Sequence, residues 1–245
     1  MSSVIDVFYA CADAVVRGEL ITRESKRDKE FHFQDWFGRR LDELNAHYDV
    51  AGRNTYPDYP LVMRPEGYEI KGLAYPGREA SYDANSQMPT GLHNGRRIFY
   101  VFGRYPVTDE NEYAVHDLVI CDGDFLNADH DYVHKNKHVK GFGTYGDIMI
   151  RDRKMYVAPT PFGLVENLER QVTLILPESE EVDDRLQVAG QLIRTEAQNL
   201  VVGYKFDLQT NNIQADTVPN PNAGREHRFV AYRIQGDRGS PVRMK

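Results

Sequence analysis

The residues of this chain best suited to chemistry lie in one short passage, PDYPLVMRPEGYEIKG, at positions 57–72. Asp58 stands at the mouth of one apolar run, and Glu69 and Lys71 stand two apart in the next. Two carboxylates present hard oxygens to Mg²⁺, a cation that keeps several waters and borrows further ligands from a substrate phosphate. A cation held this way can activate water and stabilise charge on an attacked phosphoryl group. A lysine beside it would orient that water and, as the neutral amine, could deprotonate it; as the ammonium it would offset charge in the transition state. Asp58, Glu69 and Lys71 are therefore the candidate catalytic residues, with Asp58 and Glu69 as metal ligands and Mg²⁺ as the expected cofactor.

A hairpin has to bring these groups together. Arg64-Pro65-Glu66-Gly67 carries the turn signals, since proline presets φ and glycine supplies a left-handed position. The pattern predicts strands over residues 59–63 and 67–71. Alternation along the second strand puts Glu69 and Lys71 on one face and Tyr68 and Ile70 on the other. Upstream, DKEFHFQDWFGRRLDELNAHY spaces Phe33, Trp36, Phe37, Leu41 and Leu44 as one stripe of a helix. Downstream, residues 81–95 are rich in turn formers, and residues 97–105 form a strong β run containing Ile98, Phe99, Tyr100, Val101 and Phe102. Asn85, Ser86 and Gln87 in the intervening loop offer donors and acceptors for base edges or phosphate oxygens. An ordinary surface loop making local side-chain turns would use the same residue types.

Across residues 28–105 these features resemble the PD-(D/E)XK nuclease superfamily, whose motif here reads Asp58, then Glu69-Ile70-Lys71. Residues 85–91 are similar to the Asn-Ser-x-x-Pro-x-Gly loop that follows the catalytic strand in some type II restriction endonucleases. The resemblance implies an α+β fold: a mixed central β-sheet flanked by helices, with a restriction-endonuclease-like core. On that reading residues 1–245 are a single nuclease domain, with the catalytic core at about 28–158. Residues 159–245 would extend the sheet and supply target-recognition or dimerisation elements. In this superfamily the helix before the motif strands often contributes a Glu or Gln, which implies Gln34, or Glu30 four residues earlier. The implied activity is sequence-specific cleavage of double-stranded DNA with Mg²⁺, leaving 5′-phosphate ends. The implied partners are DNA, a second copy in a homodimer, and a cognate DNA methyltransferase encoded nearby. Asn85, Ser86, Gln87, Arg96 and Arg97 are the first candidates for DNA contacts.

Composition limits the alternatives. At 245 residues, 41% apolar and 11% aromatic, the chain can bury a substantial core. No apolar stretch is long enough to span a bilayer, and the start lacks a signal-peptide pattern, so a cytoplasmic protein without a membrane partner is expected. Cys11 and Cys121 stand in apolar surroundings and read as free buried thiols. A net charge of −7 argues against non-specific coating of nucleic acid. A local excess exists, however: Lys135, Lys137, Lys140, Arg151, Arg153 and Lys154 face only Asp147 and Asp152, and are candidate phosphate contacts. His130, His134 and His138 would line one face of a helix and could hold Zn²⁺, but their asparagine and charged neighbours favour a polar loop. No P-loop and no G-x-S-x-G nucleophile elbow is present.

The remaining pattern predicts a helix over 3–18, strands over 114–121, 172–176, 199–208 and 228–234, and a hairpin from 146–150 and 155–157. A further helix is expected from Pro177 to about Gln198, its first turn acidic, with a polar loop over 209–226 and a disordered tail over 237–245. Two other functions fit the same residues. One is a repair or recombination nuclease that acts on DNA structure. The other is a DNA- or metal-binding module that does not cut.

Overall fold

The structure, a computed structural model, describes residues 4–23, 29–49, 55–77, 80–84, 89–127, 149–151, 155–165, 168, 171–207, 209–210 and 212–236. The chain begins with α1 (Val4–Val16), β1 (Leu20–Thr22), α2 (Lys29–Glu43), β2 (Tyr59–Pro60), β3 (Glu66–Tyr75), β4 (Ser81–Ala84), β5 (Leu92–His93) and β6 (Arg96–Pro106). It continues through β7 (Glu112–Ala114), β8 (Asp117–Asp122), α3 (Gly123–Leu126), β9 (Met149–Arg151), β10 (Met155–Pro159) and α4 (Pro161–Leu164). The last described elements are β11 (Val172–Pro177), β12 (Leu186–Thr195), β13 (Asn199–Asp207), β14 (Asn212–Pro219) and β15 (Glu226–Ile234).

Eight strands make one mixed sheet in the order β12-β15-β11-β8-β6-β3-β2, with β5 against the start of β6. β3 runs parallel to β6 and β8 parallel to β11, while the other pairs are antiparallel. Strands buried on both faces need continuous apolar runs, and β6 and β8 have them. On one face Tyr68, Ile70, Phe99, Val101 and Ile120 meet Phe8 of α1 and Phe33, Trp36 and Phe37 of α2. On the other, Tyr100, Phe102, Cys121 and Ile175 meet Tyr82 of β4, Ala158 of β10 and Phe125 of α3. Each buried aromatic contributes about 1.5–3 kcal/mol, so the two apolar layers are what hold β3 in place. Gly103 seats α2, because a Cβ there would overlap the Phe33 ring.

The fold is thus mixed α+β, with β11, β15 and β12 continuing the sheet that carries β3 and β6. Among the described residues the two long helices, α1 and α2, lie on one face. The face opposite α1 and α2 is covered by the small sheet β4-β10-β9 with the short helices α3 and α4. Cys11 and Cys121 are free and buried, as their apolar surroundings predict. Among the described residues no helix is long and apolar enough to cross a membrane.

Three expectations are corrected. The helix predicted from Pro177 to Gln198 does not form: residues 186–195 are β12, antiparallel to β15, with a register shift between Val188 and Gly190. Leu192 and Arg194 are buried while Gln191, Ile193 and Thr195 are exposed, a period of two that a helix cannot satisfy. The acids expected in that helix's first turn serve elsewhere: Glu180 pairs with Arg97, and Asp183 accepts from Tyr9. The loop predicted over 209–226 contains β14, paired along its length with β13. The single strand over 114–121 is two strands, because the chain leaves β7, the partner of β1, before it enters β8. The tail at 237–245 lies outside the described residues.

Candidate active site

The predicted hairpin exists, with a shorter first strand than residues 59–63. β2 pairs with β3 only through Tyr59↔Tyr68 and Pro60↔Gly67. Pro60 has no N–H for a ladder, and beyond it the Val62 N–H turns away to His47 O at 2.9 Å. Gly67 is not the left-handed turn residue expected but lies within β3, where it is required by close approach, since a Cβ there would overlap the ring of Pro57. That contact brings Asp58, the next residue, opposite Glu69.

Main-chain amides then fix both carboxylates. The Asp58 N–H donates to Glu69 Oε2 at 3.3 Å, and the Ile70 N–H donates to Asp58 Oδ2 at 2.8 Å. Lys71 Nζ lies 2.7 Å from Glu69 Oε1, with side-chain exposures of 16% for Lys71 and 12% for Glu69. The two oxygens of Glu69 therefore have different partners: an ammonium on one side and the Asp58 amide on the other. Lys71 Nζ also stands 5.9 Å from the centroid of the Tyr82 ring, whose π face favours a cation. Tyr100 is the register partner of Glu69 on β6, and its hydroxyl shares a 2.8 Å hydrogen bond with that of Tyr56. Burial, with Tyr56, Tyr82 and Glu69 around it, holds the Tyr100 hydroxyl well above the ordinary tyrosine value, so it stays protonated. Among the described residues no group of three or more His, Cys, Asp or Glu is gathered for a metal. A pair of carboxylates suits Mg²⁺, which fills its shell with water and phosphate, better than Zn²⁺, which takes three or four protein ligands.

The other predicted residues fall at different places. Gln34 belongs to α2, in the layer over Tyr68 and Ile70, and its main-chain carbonyl accepts the Tyr59 hydroxyl at 2.8 Å. Glu69 and Lys71 point to the opposite face of β3. Arg96 donates through Nη1 to the carbonyls of Leu61 and Arg64, which clamps the β2–β3 turn. Arg97 lies on the helical face, with Nε 2.7 Å from Asp122 and Nη1 2.8 Å from Glu180. A guanidinium engaged on both arms serves the fold, which is the physical reason to move Arg97 away from DNA contact. Asn85, Ser86 and Gln87, the basic residues Lys135, Lys137 and Lys140, and His130, His134 and His138 all lie outside the described residues.

The sequence reading passed over Tyr56, Tyr82, Tyr100 and His93. The ring of Tyr56 meets that of His93 edge-on, with centroids 4.9 Å apart. Asn94-Gly95, both at positive φ between His93 and Arg96, is the two-residue hairpin turn joining β5 to β6. That signal was available in the sequence. The placing of Tyr100 beside Glu69 was not, because it depends on the β3–β6 register.

Comparison with protein-family models, with curated proteins and with solved structures gave no match.

Proposed function

We propose that the chain is a metal-dependent phosphodiester hydrolase. More particularly, it is a DNA endonuclease of the PD-(D/E)XK type, and a type II restriction enzyme is the reading its sequence resemblance favours. The observation that carries the proposal is the gathering of Asp58, Glu69 and Lys71 at one edge of the sheet, with Nζ of Lys71 2.7 Å from Glu69. Asp58 and Glu69 would hold Mg²⁺. When bound, that ion supplies polarisation of the phosphoryl group and a more acidic water. Lys71 orients the attacking water and offsets charge on the phosphoryl oxygens. Glu69, held by the Asp58 amide, keeps Lys71 in position. Double-stranded DNA is the proposed substrate, and a symmetric homodimer would match a two-fold target.

The test is digestion of unmethylated phage and plasmid DNA by the purified protein, with Mg²⁺ and with EDTA, beside Glu69→Ala. Discrete fragments that need Mg²⁺ and vanish in the variant support a sequence-specific enzyme; a smear moves the reading to a nuclease that reads DNA structure. One observation favours a non-cleaving module instead: Glu69 and Lys71 already satisfy each other as a structural pair would. DNA binding that ignores Mg²⁺ and survives Asp58→Ala would select that module.

A further inference from the structure

Met63 and Val62 stand in the β2–β3 connection with 80% and 52% of their surfaces exposed. Turns normally place polar residues, glycine or proline at such positions. The main chain around these side chains is hydrogen-bonded on both sides. Leu61 N–H donates to Glu66 O at 2.9 Å, Val62 N–H to His47 O at 2.9 Å, and Arg97 N–H to Pro65 O at 2.7 Å. Arg96 Nη1 adds bonds to Leu61 O and, at 3.0 Å, to Arg64 O. An apolar tip held this firmly and left in water is built to meet something.

Its surroundings say what. The Asn94-Gly95 turn closes a shallow groove of about 340 Å³ between Met63 and Arg96. Arg64 lines that groove and makes no ion pair among the described residues, although Glu66 feels its charge. Arg96 uses only Nη1 on the carbonyls it clamps. Two guanidinium groups flanking two apolar side chains complement a polyanion with an apolar interior, which is a base-paired duplex. The turn passes straight into β3, and Glu69 is four residues beyond Pro65, about 13 Å at 3.3 Å per residue. At 3.4 Å per base pair that is about four steps along one duplex.

We infer that the β2–β3 turn is a wedge. Met63 and Val62 press against the base stack at one step, while Arg64 and Arg96 hold the flanking phosphates. This rests on the nuclease reading above and adds to it a site of DNA deformation, distinct from the hydrolytic groups. Opening a step costs a few kcal/mol and is easiest at flexible pyrimidine–purine steps. The wedge therefore contributes step preference without hydrogen bonds to base edges.

The experiment uses the full chain with Glu69→Ala to stop cleavage, and mixed-sequence 40-base-pair duplexes carrying 2-aminopurine at pyrimidine–purine steps. Binding should raise the fluorescence. Adding Met63→Ser, at an exposed position that leaves the fold intact, should remove the rise and weaken binding about tenfold. Adding Arg64→Gln should instead weaken binding on every duplex and lower the salt slope by about one. A rise and an affinity unchanged by Met63→Ser, in a protein whose wild type still cuts DNA, overturn the wedge alone and return the patch to a protein partner. A wild type that neither binds nor cuts any DNA overturns the nuclease reading and the wedge together.

Discussion

Lys71 and Glu69 are two residues apart on one face of β3, and their charged groups meet at 2.7 Å. Strand alternation puts both side chains on that face once β3 forms. Asp58 joins them only because the chain before β2 is folded onto Gly67. The pair is thus local, whereas the third member depends on the hairpin.

Asp58→Ala and Lys71→Ala should each lower Mg²⁺-dependent cleavage by at least about a hundredfold, the scale of losing one well-placed charge-stabilising group. DNA affinity, measured by anisotropy, should be largely retained, because neither residue reads bases. If both variants stay folded yet lose DNA binding, the assigned roles are wrong.

Gly67→Ala should shift Pro57, since the added methyl has no room beside its ring. Overpacking of this kind costs about 1–3 kcal/mol, visible as a lower urea midpoint. Asp58 would move with Pro57, so cleavage measured on the fraction that remains folded should fall as well. Full activity in a folded Gly67→Ala protein would detach Asp58 from the site.

Arg97→Ala should behave as a stability variant. It leaves the buried Asp122 without its ion-pair partner, and because Arg97 is itself one-third exposed the loss should lie below the roughly 3 kcal/mol of a fully buried pair. Thermal denaturation should register the loss while DNA affinity at low salt stays unchanged. A drop in affinity without a drop in stability would restore Arg97 as a DNA contact.

Stability should also fall on mild acidification through His227. Burial, with Arg194 next, pushes this imidazole below its ordinary value of 6.5, although Glu196 lies 2.7 Å away. The unfolded chain takes up the proton near 6.5, while the folded protein resists it until lower pH. Between those values the unfolded state binds more protons, so the stabilisation present above pH 6.5 is lost as the pH falls through the window. Urea midpoints at pH 7.5 and 5.5 should differ, and His227→Gln should narrow the difference. An unchanged difference would assign the pH dependence to other groups.

Much of the proposed site was legible in residues 57–72, because strand alternation acts over a few residues; the turn signal was misleading in detail, since Gly67 lies inside β3 against Pro57 and not at a left-handed turn position. The stripes of α1 and α2 were legible for the same reason, since their apolar residues recur at helical spacing within one segment. Tyr100 could not be read as a neighbour of Glu69, because that adjacency follows from a parallel register set thirty-one residues apart. The role of Arg97 was hidden likewise: Glu180 lies 83 residues along the chain.

The sequence by itself determined the face that Glu69 and Lys71 share, the hairpin that carries them and the burial of both thiols. Only the tertiary structure decided that residues 186–195 are a strand, that residues 212–219 pair with residues 199–207, and that α1 and α2 share one face. The acids before β12 imitate a helix start when read locally. A strand, however, is stabilised by its partner, and the partner of β12 is β15, some forty residues further on. Ladder hydrogen bonds and the burial of Leu186 and Leu192 outweigh a local preference worth roughly a few tenths of a kcal/mol per residue.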